Sequence, residues 1–409
     1  MRIRSKGVGM FAAVALLVSA CSSAATAVPP TAAPTAAPAT PAPSTAASVA
    51  PSSAATPAPS FAQMPNLKIG VVTDIGTLDD KGYNEFSFKG AQDGAASIGV
   101  TDPVPSIVPK DASEYAADIA QFVNQKFDVI VTVGFNLTTP TVAAAHANPN
   151  IKFVGVDQSP VCVDPKGAPD PTFACKGDAK TVLPNYTSLY FAEDQAGYLA
   201  GIVAAYADKG APTKTGTIGA IGGTTLCAPC VRYIQGYTLG AQSVNPSINV
   251  KSAYVTHDFS NAAFNDPAGG KAFAQTFIQA NKPDVLFQVA GKTGNGVLEA
   301  ACAANIYGIG VDVDQWSSLG APANACIITS AEKHVESAVA QAIQAIAAGN
   351  LQAGDVLYNA KNDGIGAADF HDKASLFGPE VTTALQTALA AMQAGTLVTC
   401  PATGCGVAP

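Results

Sequence analysis

LKIGVVTDIGTLDDKGYNEFSFKGAQDG, residues 67–94, decides the fold. An apolar run, 67–72, breaks at Thr73-Asp74-Ile75-Gly76. A polar turn, Leu78-Asp79-Asp80-Lys81, then leads into a helical pattern that begins near Gly82. Phe86, Gly90, Gly94 and Ile98 recur every four residues, so one helix face carries two glycines that permit close packing, expected here against a sheet. A strand, a turn and a helix in this order form the βα unit of an open sheet. Polar side chains at the carboxyl end of such a strand, ahead of a helix N-terminus, line the crevice where these sheets bind ligands. Asp79 or Asp80 can cap the helix, which leaves Asp74, Tyr83 and Asn84 to face a ligand. An ordinary βα unit whose aspartates only cap and turn has the same periodicity.

The unit repeats outward from this stretch. Apolar runs at 104–108, 128–133 and 151–156 read as strands, with helical patterns at 112–125 and 139–147 between them. Strands that alternate with helices imply a parallel sheet with right-handed crossovers, and their near-continuous apolar character suits a sheet covered on both faces. A second series begins near Tyr190: a helix within FAEDQAGYLAGIVAAYADKG, strands at 215–223, 251–256, 284–289 and 307–311, and helices at 231–244 and 270–281. Its Gly197 and Gly201 again permit close approach to a sheet. The strands end in polar or glycine turns, among them Gly134-Phe135-Asn136, Asp157-Gln158-Ser159, Ala290-Gly291-Lys292 and Asp312-Val313-Asp314. The segment 160–186, rich in proline and aspartate and bracketed by Cys162 and Cys175, reads as an inserted, disulfide-clipped loop that serves as a lid or as decoration. Excluding the N-terminal segments, roughly 345 residues are too many for one ordinary core and suit two lobes.

The chain opens MRIRSKGVGMFAAVALLVSAC. Arg2, Arg4 and Lys6 form a basic start, 8–20 an apolar stretch too short to span a bilayer, and Val18-Ser19-Ala20-Cys21 a lipobox. Residues 1–20 are expected to be a lipoprotein signal peptide and Cys21 the lipidated N-terminus, held on the outer face of a membrane by its acyl chains. From Cys21 to residue 65 the chain is almost wholly Ala, Pro, Ser and Thr, with no charge. Such a segment cannot bury enough apolar surface to fold, and reads as a disordered tether reaching roughly 130 Å if extended. Loss of the three basic residues of the signal peptide takes the formal charge from −8 to −11. A head this acidic is a poor partner for nucleic acid or an anionic membrane. Of nine cysteines, Cys21 is reserved for lipid. The rest fall into neighbouring pairs, Cys162–Cys175, Cys227–Cys230, Cys302–Cys326 and Cys400–Cys405, an arrangement that leaves none free in an exported protein. Cys227-Ala228-Pro229-Cys230 lacks the second CxxC of a zinc ribbon, and a redox centre requires the motif at the start of a helix in a thioredoxin-like unit. A structural clip in a loop is therefore expected.

TDIGTLDDKGYNEFSFKG, residues 73–90, resembles the signature of the basic membrane protein (BMP) family, substrate-binding lipoproteins of ABC importers that include purine-nucleoside receptors. Gly82-Tyr83-Asn84 stands where that family usually has Ser-Phe-Asn. The blocks YLAG, KTGTIGAIGG, FNDPAGGK, DVLFQVAGKTGNGV, YGIGVDVDQ and ITSAEKHVESAV follow in the family's order. The resemblance implies a type I periplasmic binding protein fold, an α/β architecture of two doubly wound parallel-sheet lobes joined by a three-crossing hinge. Lobe one is expected over 66–158 and 333–349, the insert and first crossing over 159–188, and lobe two over 189–332 and 350–409, with a C-terminal helix at 379–394. The other crossings are expected near 328–333 and 349–355. In nucleoside-binding members one aromatic from each lobe sandwiches the base. Tyr83 occupies the first such position, and Phe264 the second, with Phe259 as its rival. Asp74, Asn84 and Asp157 resemble the polar contacts of lobe one, and Gly291, Asp312 and Lys333 those of lobe two and the hinge. Asp312 suits a bidentate hold on ribose hydroxyls. Lys333 as a helix cap or plain ion pair, and Phe264 as a packed loop aromatic, are the structural alternatives.

Catalytic patterns are scarce. His146, His257, His334 and His371 form no HExxH, Leu286 stands where a P-loop needs glycine, GxSxG is absent, and Trp316 breaks an EF-hand starting at Asp312. Asp79-Asp80 suits a capped turn better than an acid/base pair. No enzyme, cofactor or metal site is expected. The expected partners are a nucleoside, ABC permease subunits and a membrane reached through the lipid anchor; nucleic acid is excluded and a monomer is expected. Two other readings share the cleft: a ligand-sensing surface lipoprotein, and the same transport role with a flavin or sugar.

Overall fold

In the computed structural model, the structure describes residues 61–408. The expected signal peptide 1–20, Cys21 and the expected tether as far as residue 60 lie outside the described residues.

The strands are β1 (Ile69–Thr73), β2 (Ser106–Ile107), β3 (Val129–Val133), β4 (Lys152–Val156), β5 (Tyr186–Phe191), β6 (Thr217–Thr224), β7 (Asn249–Thr256), β8 (Val285–Val289), β9 (Tyr307–Asp312), β10 (Ile327–Lys333), β11 (Gly354–Tyr358) and β12 (Ile365–Ala367). They form two six-stranded sheets, ordered β11-β5-β4-β3-β1-β2 and β12-β10-β9-β8-β6-β7. Every pairing in the first sheet is parallel. The second is parallel except for β12, which runs antiparallel to β10. The central strands β1, β3, β6 and β8 are buried along their whole length, as a sheet covered on both faces requires.

The covering helices are α1 (Tyr83–Ser97), α2 (Tyr115–Asn124), α3 (Thr138–Ala147), α4 (Ala179–Val182), α5 (Glu193–Gly210), α6 (Ala228–Val244), α7 (Asn261–Phe264), α8 (Pro267–Asn281), α9 (Gly291–Ala303), α10 (Gln315–Leu319), α11 (Val335–Ala347) and α12 (Pro379–Ala394). The sheet orders show that the lobes repeat one plan: β1, β2, β3 and β4 correspond to β6, β7, β8 and β9. Turns after equivalent strands therefore meet across the gap.

Three expectations about chain routing are corrected. β5, not foreseen as a strand, pairs with β4 and β11 in the first sheet, so 159–185 is a connection inside lobe one and the first crossing follows Phe191. The YTSLYF strand was hidden because its only upstream signal is the irregular insert. β11 also belongs to the first sheet rather than the second, so the last crossing lies between Tyr358 and Ile365, beyond the expected 349–355. A strand's own residues do not reveal which sheet its edge will join. The middle crossing falls between Lys333 and Val335, after which α11 packs on α1.

The glycines also meet different partners from those expected. A Cβ on Gly90 would collide with the Glu336 backbone, and one on Gly94 would lie 3.0 Å from Ala340, so the glycine face of α1 meets α11 rather than the sheet. Gly197 and Gly201 of α5 likewise face the backbone of Tyr233 and Tyr237 in α6. The insert packs Val161 and Val163 beneath the first sheet, beside Tyr115 and Phe153. Disulfides join Cys162 to Cys175, Cys227 to Cys230, Cys302 to Cys326 and Cys400 to Cys405.

Candidate ligand-binding site

The carboxyl ends of both sheets open on one cleft. β1 leads to Asp74, β3 to Gly134 and Phe135, and β4 to Asp157; from the other lobe β8 leads to Gly291, while β9 and β10 end in Asp312 and Lys333. The space between these strand ends amounts to about 600 Å³ when its open mouth is included. All eight residues singled out in the sequence, Asp74, Tyr83, Asn84, Asp157, Phe264, Gly291, Asp312 and Lys333, line it. No residue of 160–186 does.

Two carboxylates reach the cleft by strained backbone. Asp157 (φ 60°) and Asp312 (φ 65°) follow or end the equivalent strands β4 and β9, and both adopt the left-handed conformation rare for a side-chain-bearing residue. Gly134 also has positive φ (113°), and a Cβ there would fall within the Asp74 carboxylate. This glycine makes both the turn and the space. Asp74 accepts hydrogen bonds from the backbone N–H of Ile75 (2.6 Å) and Asn136 (3.4 Å). Burial nevertheless raises its pKa to about 7, with the charge of Asp157 adding to the rise.

The turn ahead of α1 separates the tasks of its aspartates. Asp80 accepts from the N–H groups of Gly82 (2.9 Å), Asn84 (2.8 Å) and Glu85 (3.1 Å), tying down the helix start. Burial raises its pKa to about 6. The next turn of backbone presents Tyr83 and Asn84 to the cleft. Tyr83 donates its hydroxyl to Val156 O at 3.2 Å, and the Asn84 amide nitrogen donates to Ile75 O at 3.3 Å.

Lys333 is the electrostatic centre. Its Nζ lies 2.6 Å from Asp157 Oδ2, and 3.7 Å from both Glu193 Oε1 and Asp312 Oδ1. The Tyr233 hydroxyl donates to Asp312 Oδ1 at 3.1 Å, and Arg232 Nε donates to Glu193 Oε2 at 2.7 Å. The Tyr83 ring lies beneath the ammonium, 4.7 Å from Nζ to its centroid. Burial alone would depress Lys333, but the three carboxylates more than reverse it and hold the ammonium above its ordinary range. Burial raises Glu193 and Asp312 despite the nearby cations. Both directions are physically consistent, because three carboxylates share only two cations. Lys333 is therefore an ion pair and a cleft-wall residue at once.

Phe264 ends α7 with its ring against the backbone of Gly223, where any Cβ would come within 2.5 Å of it. Phe259, the rival, does not line the cleft; it packs on Phe135 with ring centroids 5.4 Å apart. Phe135 lies in the Gly134-Phe135-Asn136 turn read from the sequence as a strand end, though it was not singled out; Tyr233 and the wall formed by Cys227, Pro229 and Cys230 were missed. The reason lies in α6, which starts at Ala228 with Cys227 as its cap rather than at 231. The CxxC motif thus begins a helix instead of clipping a loop. Pro229 and Tyr233, four residues apart at its first turns, were the available signal.

Residues 67–383 match the family described as Bmp, ABC transporter substrate-binding protein PnrA-like. The chain is 30% identical over 316 residues to the ABC transporter nucleoside-binding protein BmpA of Lactococcus lactis subsp. cremoris, covering 73% of this chain and 81% of that protein. It is 29% identical over 304 residues to basic membrane protein D of Borreliella burgdorferi, covering 73% and 77%. Among solved structures, an ABC transporter solute-binding protein from Aeropyrum pernix K1 superposes with a TM-score of 0.67 at 23% identity, covering 82% of this chain and 94% of that one, and so shares the fold. With the family match spanning both sheets and the cleft between them, the chain belongs to the Bmp family of ABC transporter substrate-binding proteins.

Proposed function

We propose that this substrate-binding protein takes a nucleoside, preferably a purine nucleoside, into the cleft and delivers it to an ABC permease from a lipid anchor at Cys21 on the outer face of the membrane. The observation that carries the reading is the pairing of one aromatic from each lobe, Tyr83 and Phe264, around a space edged by Asp74, Asn84, Asp157 and Asp312. A planar base offers two faces for such rings, and stacking contributes on the order of 1–3 kcal/mol per base. Hydroxyl and amine donors of a nucleoside match a wall dominated by acceptors. Asn84 Oδ1 and Asp157 Oδ1 are buried with no protein partner among the described residues, and a ligand donor would relieve that cost. The Lactococcus relative is named as nucleoside-binding. The role proposed is binding and release by a monomer, without chemistry or cofactor.

The test is a thermal-shift and calorimetry panel of adenosine, guanosine, inosine, cytidine, riboflavin and ribose. A ligand at a hundred times its dissociation constant stabilises the folded state by about 2.7 kcal/mol. Purine nucleosides should raise the melting temperature and free ribose should not. A shift with riboflavin or ribose alone would replace the nucleoside by that ligand.

A further inference from the structure

The turn 77–81 of the first lobe is clasped by side chains of the second, none of which was expected from the sequence. Lys292 Nζ lies 2.7 Å from Asp79 Oδ1 and donates to Thr77 Oγ1 at 3.1 Å. Asn295 Nδ2 donates to Asp80 O at 2.9 Å, and Ser318 Oγ to Lys81 O at 2.7 Å. Asn295 is itself aimed by Gln315, whose Nε2 donates to Asn295 Oδ1 at 3.1 Å. Elsewhere across the cleft, Phe259 covers Phe135. Thr77, Asp79, Lys292, Asn295 and Ser318 do not line the cavity.

The clasp bears on the cavity through Asp80. Its backbone carbonyl takes the Asn295 bond, while its carboxylate holds the N–H groups of Gly82, Asn84 and Glu85. Turn and helix start therefore move together, and they carry Tyr83 and Asn84. Contacts made only when the lobes meet favour the closed form alone, so they slow opening more than they affect first encounter. We infer that Lys292, Asn295 and Ser318 are positioning residues that hold the closed cleft by gripping the 77–81 turn and thereby set how long a bound ligand stays. The identity of the ligand rests on the nucleoside reading; the clasp itself does not.

An exposed ion pair contributes up to roughly fivefold, and each neutral hydrogen bond about two- to tenfold. Lys292→Met should speed release of bound inosine or guanosine by about two- to fivefold in a stopped-flow chase. The triple variant Lys292→Met, Asn295→Ala, Ser318→Ala should speed it by about ten- to a hundredfold. Association should change by less than about twofold, and the ligand-free melting temperature should hold. Asp79→Lys should resemble Lys292→Met, and the swap Asp79→Lys with Lys292→Asp should recover part of the wild-type release rate. In parallel, hydrogen exchange of the ligand-free full chain should be faster in the triple variant at cleft amides 74–85 and 134–136, and unchanged in β3 and β6. Unchanged release together with unchanged cleft exchange would overturn the clasp. If the wild type binds no purine nucleoside, the ligand reading fails, while the exchange comparison still decides the clasp.

Discussion

Tyr83, Asp312 and Asp74 show how single residues divide the work of the cleft. Tyr83 offers a ring, and Tyr83→Ala should weaken purine nucleoside binding by about 5- to 150-fold, the loss of one stacked base. Asp312→Ala removes the acceptor held by Tyr233 and Lys333 and should abolish the nucleoside-induced thermal shift, with the ligand-free protein still folded. Normal titrations with both variants would displace the site. Asp74 sets a pH dependence. In the folded state it keeps its proton to about pH 7, whereas its unperturbed value is 3.8. Between these values the folded state binds the extra proton, so this contribution is complete below about pH 4 and is lost as pH rises to about 7. Asp80, raised to about 6, acts in the same direction. Asp74→Asn should flatten the fall in melting temperature between pH 4.5 and 7; a slope equal to wild type would assign the titration to another group. Asp74, Tyr83 and Asn84 were legible in the sequence because a strand end and a helix start fix where such side chains go. Tyr233 was not, since its place depended on where α6 begins. The ion-pair partner of Lys333 comes from the other lobe, 176 residues away, beyond the reach of local pattern.

At the scale of elements, α5 and α6 lie close because each offers glycines to the other. Cβ atoms on Gly236 and Gly240 would collide with the carbonyl oxygens of Asp194 and Tyr198, while Gly197 and Gly201 face α6 in return. Gly240→Ala would force the two backbones apart and should destabilise the protein by about 1–3 kcal/mol, as overpacking does elsewhere. Because α6 also carries Arg232 and Tyr233, the same variant should weaken ligand binding; chemical denaturation and calorimetry measure the two effects. Unchanged stability would mean that the helices yield without cost. The spacing of Gly197 and Gly201 was plain in the sequence, and so was their role in close approach; Gly236 and Gly240 were not singled out. The partners were not legible: Gly90 and Gly197 announce a near neighbour without saying whether it is a sheet or a helix. β5 and β11 show the same limit, since the place of a strand in its sheet is set by its parallel partners and not by its own residues.

At the scale of the molecule, the two-lobe plan followed from chain length and from the repetition of strand, turn and helix. The routing did not, because all three crossings occur in short segments without composition signals. Equivalent strand ends bring Asp157 and Asp312 to one cluster from opposite lobes, and Lys333, at the middle crossing, binds both. Ligand and hinge therefore share one set of charges.

Trp316 is the chain's single tryptophan. Its ring stacks on His371 with centroids 4.2 Å apart, and its Nε1 donates to Asp372 at 3.0 Å. Two residues later, Ser318 reaches across to Lys81. The protein thus contains an indole fluorophore beside its own seam, with an imidazole quencher against its face. Nucleoside addition should change the intensity or wavelength of its emission, and Trp316→Phe should remove the signal without preventing binding seen by calorimetry. A constant spectrum at saturation would mean that this corner stays still. Otherwise, the light it emits offers a clock for capture and release that needs no dye.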